Sequence, residues 1–206
     1  MSSGDSETKE KILAAARALI AECEGRYVSL AEIGRRAGVS RQAIYLHFAS
    51  RFDLLRQLAD YVDEVEGLPE LQEWVLAADF PAEMLDRIAA LHATHRPKVA
   101  HVATALDRAI LEEPELEEIW RDRIAGRREL ARHAARLMQD HNALLPHWDE
   151  ETAVDFIAAV DSFQTWRELV MGRTWSAEQY HRMVSRILRE TLLKPEAREL
   201  PGACSP

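Results

Sequence analysis

Residues 28–48 constrain this chain more than any other stretch, because they read as two short helices joined by a tight turn. Ser29 offers a side-chain oxygen to cap a helix, and Glu32 three residues later completes a capping box. Leu30, Ile33 and Ala37 then fall on one face at helical spacing. Gly38 accepts the left-handed conformation that ends a helix, which a Cβ resists. Val39 plugs the turn and Ser40 caps the next helix. On that helix Ala43, Ile44 and Phe48 face inward, while Arg41, Gln42, Tyr45 and His47 are left facing outward.

A helix-turn-helix of this kind typically offers its second helix to the major groove of DNA. Arg and Gln each make paired hydrogen bonds to guanine or adenine edges, so Arg41 and Gln42 are candidate base readers. Ser29, Tyr45 and His47 suit phosphate oxygens, which set register. The net charge of −9 looks wrong for such a partner until its distribution is read. Residues 26–51 hold five arginines (Arg26, Arg35, Arg36, Arg41 and Arg51) against Glu32 alone, a local +4, whereas residues 52–206 hold 18 basic and 29 acidic side chains. A basic face on an acidic body binds DNA locally and keeps the body off the duplex.

The segments KILAAARALIAE, VSLAEIGRRAGVS, RQAIYLHF and ASRFDLL, within residues 9–60, resemble the DNA-binding domain of the tetracycline-repressor (TetR) family of bacterial regulators. The rest of the chain resembles that family only in helical layout and length. The resemblance implies that Ser29, Arg41, Gln42, Tyr45, His47 and Arg51 touch phosphates or bases. Two departures stand out. Gly34 occupies a position where the family usually has Ala, at a cost of roughly 1 kcal/mol in helix propensity. Arg51-Phe52 replaces the commoner Lys-Glu and keeps the charge for a phosphate.

The 206 residues, with few Gly and Pro, predict an all-α protein. We expect an N-terminal helix-turn-helix domain over 1–50, a ligand-binding and dimerisation domain over 51–194 with helix 51–66 shared between the two, and a flexible tail over 195–206. No apolar run approaches the roughly 20 residues needed to span a bilayer, and the N-terminus has no signal core, so a cytoplasmic protein without a membrane partner is expected. Cys23 and Cys204 form no framework. The first helix is predicted over 8–22. Proline at Pro81, Pro97 and Pro114 suggests three helix starts, giving segments 81–95, 97–112 and 114–141. The acidic run Glu112, Glu113, Glu115, Glu117 and Glu118 suits a solvated helix start.

Two further helices are expected over 149–172 and 176–193, the second capped by Ser176 with Gln179. Phe156, Ile157, Val160, Phe163, Trp166, Leu169 and Val170 wrap more than one face of the first, so it is buried on several sides. The resemblance implies that this pair builds a homodimer as a four-helix bundle, matching a near-palindromic double-stranded operator. It also implies a small-molecule pocket among the middle helices, for which Trp74, Met84, His92, Trp120, Phe163 and Trp166 are candidate lining residues. His92 and His95 at i, i+3 have no companion at compelling metal-ligand spacing, and no catalytic or cofactor motif is present. The reading is a non-enzymatic DNA-binding regulator, a repressor released by a small molecule. The alternatives are a helix-turn-helix scaffold that binds proteins and, weaker still, a helical metal-dependent enzyme.

Overall fold

Serine sets the start of most helices that carry the site. The computed structural model describes residues 3–110 and 117–200, and these are helical with no strand beyond one isolated bridge between Leu144 and Leu193. Helix α1 spans Ser3–Glu22, α2 Leu30–Ala37, α3 Arg41–His47 and α4 Arg51–Val65. Ser29, Ser40 and Ser50 each accept a backbone N–H three residues on, capping α2, α3 and α4. Each such cap contributes about 1 kcal/mol. Gly38 ends α2 with φ +71°, as the turn requires.

The remaining helices are α5 (Leu68–Leu76), α6 (Pro81–Ile110), α7 (Glu117–Asp140), α8 (Glu150–Val160), α9 (Phe163–Trp166) and α10 (Ala177–Leu192). A π-helical turn, Arg167–Met171, follows α9 directly. Asp149 and Thr152 cap α8 reciprocally, and Ser176 caps α10 through the N–H of Gln179.

Contacts divide the chain into two units, Met1–Gly67 with Lys98–Arg121 and Leu68–Pro97 with Asp122–Pro206. This differs from the division read from sequence. Helix α4 lies wholly in the first unit, whereas α6 and α7 each enter both. The first unit's core joins Ile12, Ala16 and Ile20 of α1 to Ile33, Ile44, Phe48 and Leu58, and to Val102 and Leu106 of α6. Ile44 and Phe48 are 1 % exposed, and burying each contributes about 2 kcal/mol.

Four sequence expectations change. First, α1 begins at Ser3 rather than Thr8. Second, Gly67-Leu68-Pro69 reads in sequence as a break in the chain, yet Leu68-Pro69 starts α5, since Pro is tolerated in a first turn. Third, Pro97 lies inside α6 and starts nothing. Proline in a helix interior costs about 3 kcal/mol and disfavours helical geometry in the residue before it. That residue is Arg96, which is buried and bonded to Tyr180 and Asp161. Fourth, the expected helix 149–172 breaks at Asp161, where Ser162 caps a new start by accepting the N–H of Thr165 at 3.0 Å. The expected start at Pro114, the acidic residues Glu112, Glu113 and Glu115, Cys204 and the tail beyond residue 200 lie outside the described residues. Residues 195–197 of the expected tail form a 3-10 turn. No helix among the described residues is long and apolar enough to cross a membrane.

Candidate DNA interface and effector core

The capping box that starts α2 also engages Ser29 fully. Its Oγ donates to Glu32 Oε2 at 2.6 Å and accepts the Glu32 N–H at 3.3 Å, while its own N–H donates to Glu32 Oε2 at 2.9 Å. This network holds the Glu32 carboxyl below the usual carboxylate range, through the Ser29 hydroxyl first and its N–H second. Helix α3 is pinned on one side by Ile44 and Phe48 and open on the other. Arg41, Gln42 and Tyr45 are exposed there, with Arg41 Nη2 donating to Tyr45 Oη at 3.4 Å. Leu46 is 82 % exposed on the same helix. The sequence reading did not single it out on either face of α3.

Arg51 sits at the first position of α4 with its guanidinium 4.5 Å from the centroid of the exposed Tyr27 ring, an arrangement that favours a cation over an aromatic face. Asp53 fixes this corner by accepting the Ala49 N–H at 3.0 Å. Arg26, Arg51 and Arg108 line a groove floored by Ile20, Val28 and Leu54. Arg36, counted above in the basic face, instead makes a two-pronged pair with Glu22 at 2.6 and 3.2 Å.

His47 departs from its expected outward position. Its side chain is 11 % exposed and its Nδ1 lies 3.2 Å from Asp5 Oδ1, which ties the end of α3 to the start of α1. Helix α6 is built into the same unit. Glu66 at the end of α4 pairs with both Arg17 of α1 and Lys98 of α6. Gly25 in the α1–α2 loop has φ +72°, and a Cβ there would stand 2.8 Å from the His101 carbonyl oxygen. Glycine is what lets this loop close onto α6.

The second unit holds a buried polar cluster that the sequence did not reveal. Asp161 is fully buried. Its Oδ1 accepts from Tyr180 Oη at 3.1 Å and from Arg96 Nη1 at 3.4 Å, and its Oδ2 lies against His92 Nδ1. Arg96 Nη1 also donates to Tyr180 Oη at 2.6 Å, and Nη2 donates to the Asp161 carbonyl. Burial pushes the Asp161 carboxyl up, but His92, Arg96 and Tyr180 together bring it below its ordinary value. Burial and the Arg96 charge push His92 down, against the pull of Asp161. Arg127 of α7 is also lowered, by burial first and Arg96 second. The only sequence signals for this cluster were an Asp-Ser pair inside an apolar run and an Arg preceding Pro97.

Of the six expected effector residues, five lie in the second unit. Phe163 and Trp166 are buried and stacked, with centroids 5.8 Å apart. Met84 is buried on α6 and His92 joins the polar cluster. Trp74 is 42 % exposed, with Arg87 5.0 Å above its ring. Trp120 belongs to the first unit. Among the described residues no group of three His, Cys, Asp or Glu side chains is placed to hold a metal ion.

Residues 12–58 match the model of bacterial regulatory proteins of the tetR family. A comparison with curated proteins finds no match. Solved structures share the fold along nearly the whole chain. A transcriptional regulator from Saccharomonospora viridis in complex with choline has a TM-score of 0.75 at 17 % identity, over 92 % of this chain and 99 % of that one. NalD, the secondary repressor of the MexAB-OprM multidrug efflux pump in Pseudomonas aeruginosa, has a TM-score of 0.73 at 21 % identity, over 94 % and 100 %. The regulator FadR from Bacillus subtilis in complex with stearoyl-CoA has a TM-score of 0.67 at 18 % identity, over 87 % and 96 %. The reader helices thus match the model of bacterial regulatory proteins of the tetR family, and solved transcriptional regulators share the fold over most of this chain's length.

Proposed function

We propose that the protein is a homodimeric repressor released from a near-palindromic operator by a small-molecule effector. The observation that carries this reading is α3 itself, anchored by the buried Ile44 and Phe48 while Arg41, Gln42, Tyr45 and Leu46 are exposed on its other side. Arg41 and Gln42 read base edges, and Leu46 meets a thymine methyl. Tyr45, Arg51 and the N-terminal end of α2 at Ser29 hold phosphates. His47 positions α3 through Asp5 instead of touching DNA.

Dimerisation has its own support. On α10, Tyr180, Val184, Leu188 and Leu192 are buried, but Met183 and Ile187 of the same stripe are 37 % and 40 % exposed. A second copy packing along 149–172 and 176–193 would cover them, and two α3 helices need centres about 34 Å apart or a multiple of it. The effector acts in the second unit. Helix α6 carries the response, because it bears His92 and Arg96 in that unit and Val102 and Leu106 in the core under the reader. An effector favouring the released state by about 3 kcal/mol lowers DNA affinity more than a hundredfold.

The test is selection of bound duplexes from a random library, followed by binding of the winner across a salt series. The expected result is a two-fold symmetric consensus with steep salt dependence, because phosphate contacts release counterions. An unenriched pool, or binding indifferent to salt, would replace this reading with the protein-binding scaffold.

A further inference from the structure

Two of the solved neighbours hold ligands of unlike charge, choline and stearoyl-CoA, so the class of effector has to come from this chain's own donors. In this cluster the buried Arg96 brings one positive charge and the buried Asp161 one negative charge, and the partly buried Arg127 of α7 brings a second positive charge close enough to act on both. Burial and the Arg96 charge both hold His92 toward its neutral form. Both Asp161 carboxylate oxygens already face Tyr180, Arg96 or His92. One positive charge is left over, that of the partly buried Arg127, whose inaccessible Nε cannot be satisfied by solvent. Among the buried nitrogens of this unit that have no hydrogen-bond partner among the described residues are Arg127 Nε and Trp166 Nε1. Both are donors only. What completes them is an acceptor, and what balances the charge is an anion.

We propose that the effector is an organic acid, a carboxylate on an apolar body, whose carboxylate pairs with Arg127 beside the Arg96–Asp161–Tyr180 cluster. This rests on the effector-released reading above and specifies its ligand. Arginine suits this role because its planar fork matches a carboxylate. The stacked Phe163–Trp166 pair makes this unit's interior suited to an apolar body.

The experiment titrates the full chain with two isosteric pairs, decanoate against decanamide and phenylacetate against phenylacetamide, following thermal stabilisation and release of the selected operator. The two pairs distinguish a chain-like acid from an aromatic one. In at least one pair the acid is expected to act at a concentration tenfold or more below its amide. Arg127→Gln should erase that preference, and Arg127→Lys should restore part of it, with the circular-dichroism spectrum of each variant confirming that it folds. Equal action of acid and amide in both pairs, including no action by either, would overturn the proposal, as would a preference that survives in Arg127→Gln. Amides that release DNA as well as their acids do in both pairs would sink the acid site alone. An acid that binds through Arg127 yet leaves operator affinity unchanged would keep the site and sink the effector-released reading.

Discussion

At Gly34 two residue-level effects oppose each other. Helix propensity favours replacing it with Ala by about 1 kcal/mol. The fold opposes that change. Gly34 is buried, and a Cβ there would stand 2.9 Å from the Val39 carbonyl oxygen and 3.4 Å from Ile44 Cδ1. The Val39 N–H also donates to the Gly34 carbonyl at 2.9 Å, so the turn cannot retreat without losing that bond. Contact with fixed backbone outweighs the propensity gain, and Gly34→Ala is expected to lower the melting temperature and weaken operator binding as α2 and α3 part. A melting temperature raised by the propensity gain would show that the turn yields. Gly38 was legible from sequence because its constraint is its own φ; Gly34 was not, because its constraint is the turn folding back five residues later. His47 teaches the same lesson at longer range, since its partner Asp5 lies 42 positions away. His47→Gln is expected to destabilise the first unit by about 1 kcal/mol and to leave the salt slope of DNA binding unchanged. A phosphate contact would instead lower that slope by about one.

Elements were legible wherever the local chemistry is self-contained. The caps at Ser29, Ser40, Ser50 and Ser176 mark their helices within a residue, because a cap involves only its own first turn. Element breaks were not so legible. Pro97 reads as a helix start, yet α6 continues through it because its flanks are held in two different cores. The Asp161-Ser162 break reads as continuous helix by periodicity, yet Asp161 leaves the helix to meet Arg96, His92 and Tyr180, partners distant in sequence. Helix α7 offers a clean measure of what propensity is worth when nothing opposes it. Gly126 sits in its interior with no atom near the space a Cβ would take. Gly126→Ala is therefore expected to raise the stability of the chain by about 1 kcal/mol, read from urea unfolding. A loss would mean that another surface approaches this face closely.

For the whole molecule, sequence predicted an all-helical chain with a DNA-binding N-terminus. It misplaced the division, because α6 shares a core with residues far earlier in the chain. If the uncovered edge of α10 joins two copies, Met183→Glu combined with Ile187→Glu is expected to yield a folded monomer by light scattering that no longer holds a two-fold operator. An intact dimer would place the interface elsewhere. The pH response depends on the second unit's histidines, which pull in opposite directions. His181 Nε2 lies 3.1 Å from Asp86 Oδ1, which also accepts from Ser185 Oγ at 2.6 Å. The bond to Asp86 raises His181 above its ordinary value against burial. Burial raises Asp86, but His181 and Ser185 together bring it below its ordinary value. A raised histidine binds more protons folded than unfolded, so its contribution is complete below about 6.5 and is lost as pH rises through its folded value. The lowered Asp86 contributes above about 3.9 and loses its contribution as pH falls through its folded value. His92, lowered by burial, acts the other way and costs stability as pH falls below about 6.5. The two histidines partly cancel in the wild-type curve, and His181→Gln separates them. Urea unfolding at pH 6, 7 and 8 is expected to show the wild-type advantage over His181→Gln shrinking as pH rises. An advantage that grows with pH would mean that His181 is held neutral in the folded protein and that the Asp86 pair is not the source of its stability.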